Sequence, residues 1–208
     1  MLTGGHRWHF DRGDSMTVHV YIDSCAWNFL FREGVDLKRE LPLELYKLHV
    51  TREVAIELEA IPDVAKDGKD NRDLKRYIAL SRVQGEVTTI GIFGFKTFES
   101  DGTPSKVQTY VGFGQGTFQS DQDRAYYASP EVKAQITRQK KTGSGLSANL
   151  ADASLAVRAT AAVVLTDESP ANSGPLKTAV TKGAKVVYLS AQVLPSGLGL
   201  GAFLASIP

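Results

Sequence analysis

Four acidic residues stand beside apolar stretches at widely separated points of the chain. They are Asp23, Glu57, Asp152 and Asp167, with Glu168 as an alternative to the last. Burying a lone carboxylate is costly, and converging carboxylates repel one another and take up protons unless a cation joins them. Mg²⁺ and Mn²⁺ prefer such hard oxygen ligands. If folding brings these acids together, the sequence predicts a divalent metal site.

The segments that would position these acids alternate between strand and helix patterns. β-Branched and apolar runs predict strands over residues 18–22, 48–50, 87–95, 163–165 and 186–189. Helical spacing and capping residues predict helices over residues 24–31, 41–48, 51–62, 70–84, 121–128, 130–141, 149–162 and 176–182. This alternation predicts a three-layer α/β/α fold with a mainly parallel central sheet.

Particular residues are expected to begin, end or orient these helices. Ser24 and Thr51 are expected to cap the helices that follow them, and Gly183 to close the helix over 176–182. By their spacing, four residues are expected to share one side of the helix over 70–84: Leu74, Tyr77, Ile78 and Leu80. The composition predicts an irregular loop or a hairpin over residues 99–120 and a Gly/Ser linker over residues 142–148, and the tail 195–208 has no assigned structure.

The predicted strands place two of the acidic segments at one edge of the sheet. Asp23 directly follows the first strand, and Thr166, Asp167 and Glu168 directly follow the strand over 163–165. In open α/β sheets, ligands bind beyond the carboxyl ends of the strands. We therefore expect both acidic segments to face the same ligand-binding edge.

The order of these segments along the chain and their local sequences resemble those of the PIN-domain family. In that family an acid ends the opening strand, and a Ser or Thr stands six positions ahead of a Glu-Leu pair on a helix. An Asp-Ala-x-Leu-Ala helix start follows, and then a Leu-Thr pair with an acid closes a later strand. The matching residues here are Asp23; Thr51 with Glu57 and Leu58; Asp152, Ala153, Leu155 and Ala156; and Leu165, Thr166 and Asp167.

The resemblance implies hydrolysis of RNA phosphodiester bonds with Mg²⁺ or Mn²⁺. Asp23, Asp152 and Asp167 would hold the metal, and Glu57 would complete its shell or orient the attacking water. Ser24 and Thr166 would support these carboxylates by hydrogen bonds. The last acid of the family often lies two positions after the Thr, which keeps Glu168 as the alternative. Some family members pair with antitoxin proteins or self-associate, so an antitoxin-like partner and a homodimer are further implications.

The middle of the chain is longer than in the compact toxin members of that family. The distance from Glu57 to Asp152 predicts an insertion over about residues 85–145. Basic residues near its end are candidate RNA phosphate contacts, and aromatic residues are candidates for stacking on single-stranded bases. The basic residues are Lys133, Arg138, Lys140 and Lys141, and the aromatic residues are Phe113, Phe118, Tyr126 and Tyr127.

Other interpretations of the same residues stay open. In the first alternative, Asp23 and Asp152 serve only as ordinary acids at the starts of helices. Glu53 and Glu59 are expected to be solvated neighbours of Glu57. A PIN-like RNA- or protein-binding module with weak catalysis is the alternative function. Cys25 has no histidine partner that would make it a nucleophile, and the four histidines lack the spacing of a zinc site.

Bulk composition sets the remaining expectations. The 208 residues carry 24 basic and 23 acidic side chains, so the total charge of +1 favours no class of partner. A single cysteine fits a reducing, cytoplasmic setting. No apolar run approaches the roughly 20 residues that span a bilayer, so no membrane partner is expected. Residues 1–15 differ in composition from the rest and predict a disordered leader before one domain over 16–208.

Overall fold

The computed structural model describes residues 17–92, 116–117, 121–136 and 143–207. The expected leader and much of the expected insertion therefore lie outside the described residues. Six strands are described: β1 (Val18–Ile22), β2 (Tyr46–Thr51), β3 (Thr88–Ile92), β4 (Gly116–Thr117), β5 (Val163–Thr166) and β6 (Val186–Tyr188). All of their pairings are parallel, in the order β4-β3-β2-β1-β5-β6.

Helices cover both faces of this sheet. In chain order they are α1 (Ala26–Arg32), α2 (Leu37–Glu40), α3 (Arg52–Glu59), α4 (Arg72–Gln84), α5 (Asp121–Ala128), α6 (Pro130–Ile136), α7 (Leu150–Arg158), α8 (Pro175–Thr181), a π-helical turn (Leu189–Val193), α9 (Leu194–Ser196) and α10 (Leu200–Ser206). One layer joins α1, α2 and α4 with the π-helical turn and α10, and the other joins α3, α5, α6 and α8 to α7. The three-layer α/β/α prediction is confirmed.

The central strands form because both of their faces are buried. β1 is a run of Val, His, Val, Tyr and Ile, and its last three residues are buried. Val20 pairs with Leu48 of β2 on one side and with Val163 of β5 on the other. Strands buried on both faces favour β-branched and aromatic residues, which is why the sequence pattern located β1, β5 and β6.

Two expectations about residues 24–48 are wrong. Residues 41–48 do not form a helix: the helix ends at Glu40, and β2 already begins at Tyr46. Parallel pairing with β1 overrides the helical spacing of the leucines, since Val18 lies opposite Tyr46. Ser24 does not cap α1: Cys25 stands at the N-cap position without a side-chain cap bond.

Other helices match the expectations more closely. Thr51 caps α3 as predicted, because its hydroxyl accepts a hydrogen bond from the Val54 amide at 3.3 Å. In α4, Leu74 and Ile78 are buried, whereas Leu80 is 54 % exposed and does not belong to the buried face. The helix expected over 149–162 is shorter, ending at Arg158. Gly183 follows α8 with a φ of +89°, a conformation that glycine adopts without strain.

The tail, which had no assigned structure, packs back on the first helical layer. The amide of Gly201 donates to the Glu40 carboxylate at 3.1 Å, and a Cβ at Gly201 would overlap the Glu40 carbonyl. Across the described ranges, no single helix has the length and hydropathy to cross a membrane. The C-terminal stretches Leu189–Ser196 and Leu200–Ser206 meet that criterion only as a pair, bent by 94°.

Candidate active site

Asp23 lies at the carboxyl end of the central strand β1 and is 2 % exposed. Its backbone amide donates to the Leu165 carbonyl at 2.9 Å, which extends the β1–β5 pairing by one residue. Its side chain therefore lies beside the end of β5. This adjacency of residue 23 and residues 166–168 was predicted from the parallel sheet, and the structure confirms it.

Neutral donors surround the Asp23 carboxylate. Its Oδ1 accepts a hydrogen bond from the Ser24 amide at 2.6 Å. Its Oδ2 accepts from the Thr166 hydroxyl at 2.8 Å and from the Cys25 thiol at 3.1 Å. Thr166 is fully buried, so its hydroxyl is held in place by packing. These donors orient the carboxylate without supplying a positive charge.

Glu57 joins this group from α3. The Ser24 hydroxyl donates to Glu57 Oε2 at 2.7 Å and lies 3.4 Å from Asp23 Oδ1, so it bridges the two acids. Burial is the main cause that raises the pKa of Asp23, and the negative charge of Glu57 raises it further, against the lowering effect of the three hydrogen bonds. The structure thus brings together two of the four predicted acids.

Cys25 ties the ends of β1 and β5 together. Its sulfur lies 3.2 Å from the Thr166 hydroxyl and accepts a hydrogen bond from the Asp167 amide at 3.2 Å. Burial and the neighbouring Asp23 charge raise the pKa of the thiol well above its usual range. A thiol that stays protonated is a poor nucleophile, in line with the sequence-based expectation.

The Asp167 carboxylate is bonded to the C-terminal segment. Its Oδ1 accepts hydrogen bonds from both the amide and the hydroxyl of Ser190, at the start of the π-helical turn, with the amide at 3.1 Å. Its Oδ2 lies 4.0 Å from a guanidinium nitrogen of Arg32. Through these contacts, Asp167 links β5 to the C-terminal segment.

Glu168 is half-buried just beyond the end of β5. Its amide donates to the Thr166 hydroxyl at 3.2 Å, the same hydroxyl that donates to Asp23. Burial raises the pKa of Tyr188 at the end of β6, and the negative charge of Glu168 raises it further. The alternative fourth acid therefore lies at the same sheet edge as Asp23.

Asp152 lies in the first turn of α7 and is half-buried. Its helix is fixed to α3 through two buried hydroxyls, because Ser154 Oγ lies 2.8 Å from Thr51 Oγ1. The Asp152 charge acts on Tyr126 of α5, whose pKa is raised chiefly by burial and then by Glu131 and Asp152. Asp152 thus stands on a helix that packs against both α3 and α5.

The predicted RNA-contacting residues are described only in part. Lys133 is exposed on α6, while Arg138, Lys140 and Lys141 lie outside the described residues, as do Phe113 and Phe118. Tyr126 and Tyr127 are half-buried on α5, with their rings edge to face at 5.8 Å.

Sequence reasoning missed two charged groups. Glu53 is half-buried rather than solvated, and burial raises its pKa despite a hydrogen bond from Ser154. Its position four residues before Glu57 places both on one face of α3, a signal that was present in the sequence. Arg32, the last residue of α1, stacks on Phe29 at 5.2 Å and reaches Asp167.

The side chains around Asp23 offer carboxylate and hydroxyl oxygens that could act as ligands to a cation. Within the part of the chain that the structure describes, no three His, Cys, Asp or Glu side chains are grouped so that they could hold a metal ion. No protein-family model matches the sequence, and a comparison with curated proteins likewise gives no match.

Proposed function

We propose that this protein is a cytoplasmic ribonuclease of the PIN-domain kind, which hydrolyses RNA phosphodiester bonds with Mg²⁺ or Mn²⁺. The observation that carries the proposal is the state of Asp23. It is 2 % exposed, its partners among the described residues are neutral, and it is bridged to a second acid, Glu57, by one hydroxyl. Two adjacent carboxylates in such surroundings are stabilised in their charged form by a cation.

The donor chemistry of the site suits a hard divalent ion. A carboxylate has about four acceptor positions. Oδ2 of Asp23 accepts from both Thr166 and Cys25, whereas Oδ1 accepts a short bond from the Ser24 amide and lies 3.4 Å from the Ser24 hydroxyl. Because that hydroxyl donates its single hydrogen to Glu57 at 2.7 Å, Oδ1 keeps capacity for a ligand. Mg²⁺ needs few protein ligands because it usually retains several waters.

The ion would be held by Asp23 and Glu57, together with Asp152 from α7. For the fourth acid we favour Glu168 over Asp167, because the Glu168 amide donates to the same Thr166 hydroxyl that donates to Asp23, whereas the Asp167 carboxylate is bonded to Ser190. When bound, such an ion lowers the pKa of its coordinated water and neutralises charge on the phosphate.

The protein side chains have distinct parts in the proposed reaction. Glu57 orients the attacking water, and the Ser24 hydroxyl fixes the orientation of Glu57 through its 2.7 Å bond. Thr166 and the Ser24 amide hold Asp23 in one rotamer, so that the carboxylate does not need to reorganise when substrate binds. Cys25 has a supporting part only, as a donor to Asp23.

The direct test is cleavage of a labelled single-stranded RNA by the purified protein. We expect cleavage with Mn²⁺ or Mg²⁺, none with EDTA, and loss of cleavage in Asp23→Asn, which keeps the side-chain shape. Asp73→Asn is the matched control, because Asp73 is 76 % exposed on α4. Cleavage that persists in EDTA and in Asp23→Asn would remove the proposal.

One observation favours the second candidate, a PIN-like module that binds RNA or protein with weak catalysis. The described acids do not form a group of three that could hold an ion in their present positions. Titration with Mn²⁺, followed by its effect on the melting temperature, separates the two candidates. A nuclease should show saturable stabilisation that Asp23→Asn abolishes, whereas a binding module should show none.

A further inference from the structure

A cavity of about 440 Å³ lies at the amino ends of the strands, at the edge of the sheet opposite to the candidate active site. On the sheet side it is lined by Val18, Val163 and Val186, the first residues of β1, β5 and β6. On the other side it is lined by Phe203 and Leu204 of α10. Its volume lies in the range of pockets that bind small molecules. The proposed RNA cleavage makes no use of this cavity.

The apolar side chains around the cavity are incompletely buried. All five of these lining residues pack against the hydrophobic core, yet each is only half-buried. Removing apolar surface from water is favourable, so a ligand that covers these side chains gains free energy. The cavity therefore suits a molecule with a hydrocarbon body.

Two polar side chains that line the cavity can donate hydrogen bonds to a ligand. Lys185, just before β6, is half-buried and is the only charged residue among the described residues of the lining. Gln192 belongs to the π-helical turn, and its Oε1 accepts from the Tyr188 amide at 2.8 Å. The group that Gln192 can offer to a ligand is therefore its amide NH₂, which only donates. An ammonium group and an amide donor together complement a carboxylate.

We propose that this cavity binds a small amphipathic carboxylic acid. The hydrocarbon chain lies between the amino ends of the strands and α10, and the carboxylate is bound by Lys185 and Gln192. The site is separate from the candidate active site, and the inference does not depend on the proposed ribonuclease function.

The test is isothermal titration of the full 208-residue chain with octanoate and with octanol, which has the same chain length but no charge. We expect octanoate to bind at one saturable site and octanol to bind about tenfold more weakly, because it lacks the hydrogen bonds to a charged group. Lys185→Met keeps a long side chain without its charge. It should bind octanoate about tenfold more weakly than wild type and octanol at least as tightly. Lys182→Met is the matched control, because Lys182 is 59 % exposed and does not line the cavity.

A second variant, Leu204→Trp, tests the location of the ligand. The larger side chain takes up space that the hydrocarbon chain would fill, so both ligands should bind about tenfold more weakly. Melting temperatures establish that each variant is folded. Absence of saturable octanoate binding, equal affinity of wild type for the two ligands, or unchanged binding in folded Leu204→Trp would each overturn the inference. The wild-type comparison and Leu204→Trp decide the question even if Lys185→Met does not fold.

Discussion

Acidic side chains occupy two contrasting regions of this protein. The charged segment, residues 63–76, comprises a loop and the start of α4. Its residues Asp63, Asp70 and Asp73 are exposed and paired with cations. The pairs are Asp63 with Lys75, Asp70 with Arg72, and Asp73 with Arg76. At the carboxyl end of β1, Asp23 is buried and bonded to an amide, a hydroxyl and a thiol. In the first region these acids are paired with cations, whereas the hydrogen-bond donors described at Asp23 are uncharged.

The pKa values of the two regions shift in opposite directions for this reason. Hydrogen bonding from Arg72, first by its side chain, lowers the pKa of Asp70 from 3.8 to about 2. Burial, with the added charge of Glu57, raises the pKa of Asp23. An acid whose ionisation the fold disfavours, beside a second acid, is typical of a functional site, whereas exposed pairs contribute little to anything beyond solubility.

The largest effect should come from Glu57→Gln. Replacing the carboxylate by an amide removes its charge and its basicity while keeping its length, so we expect RNA cleavage to fall by roughly 10²–10⁴-fold. Glu59→Gln, on the same helix but exposed, is the matched control and should cleave at the wild-type rate. Equal activities of the two variants would remove Glu57 from the site.

The second largest effect should come from His49, a histidine buried in β2. Burial shifts the pKa of this base, as it shifts the pKa of the acid Asp23. Thr88 donates to the Leu48 carbonyl, so its hydroxyl accepts from His49 Nδ1 at 2.6 Å, and His49 Nε2 accepts from His19 at 2.8 Å. Burial, followed by the charges of His19, Lys47 and Arg158, lowers the pKa of His49 from 6.5 to about 4.

The sign of the resulting pH dependence follows from proton uptake. Between pH 6.5 and about 4 the unfolded chain binds a proton at His49 that the folded chain does not, so stability falls as the pH falls. The loss should reach about 3 kcal/mol at pH 4. Denaturant unfolding of wild type and His49→Gln at pH 7 and pH 4 measures it. A stability difference between the two proteins that stays constant with pH would contradict the shift.

Thr166→Val should have a somewhat smaller effect on stability. The change removes the hydroxyl that donates to buried Asp23 at 2.8 Å, and leaves the carboxylate with one donor fewer. We expect a loss of about 1–3 kcal/mol in the free energy of unfolding without metal, together with weaker Mn²⁺ binding. Thr181→Val, at an exposed position on α8, serves as control. Mn²⁺ affinity that matches wild type would argue against a supporting part for Thr166.

The smallest effect should come from Arg72→Ala in the charged segment. Both side chains of the pair are more than half exposed, so the melting temperature should stay within experimental error. The pKa of Asp70, followed by NMR, should return from about 2 toward 3.8. A substantial loss of stability would break the contrast between the two regions.

Sequence reasoning succeeded where the signal was local or followed from a general rule of folds. The run at residues 18–22 predicted β1 because β-branched residues suit a strand buried on both faces. The position of Asp23 and Thr166 at one edge followed from parallel strands. The helix predicted over 41–48 failed, because pairing with β1 draws Tyr46–Thr51 into the sheet against its local spacing.

Residue types and their order along the chain determined which acids follow strands and which stand on helices, since both follow from local hydrophobic pattern. Tertiary structure alone decided where each carboxylate points. Asp167 is directed by Ser190, which lies 23 residues later in a turn that no local pattern predicts. Asp23 owes its raised pKa to burial and to Glu57 of helix α3. Burial and charge proximity are properties of the packed chain, because they depend on which distant segments meet.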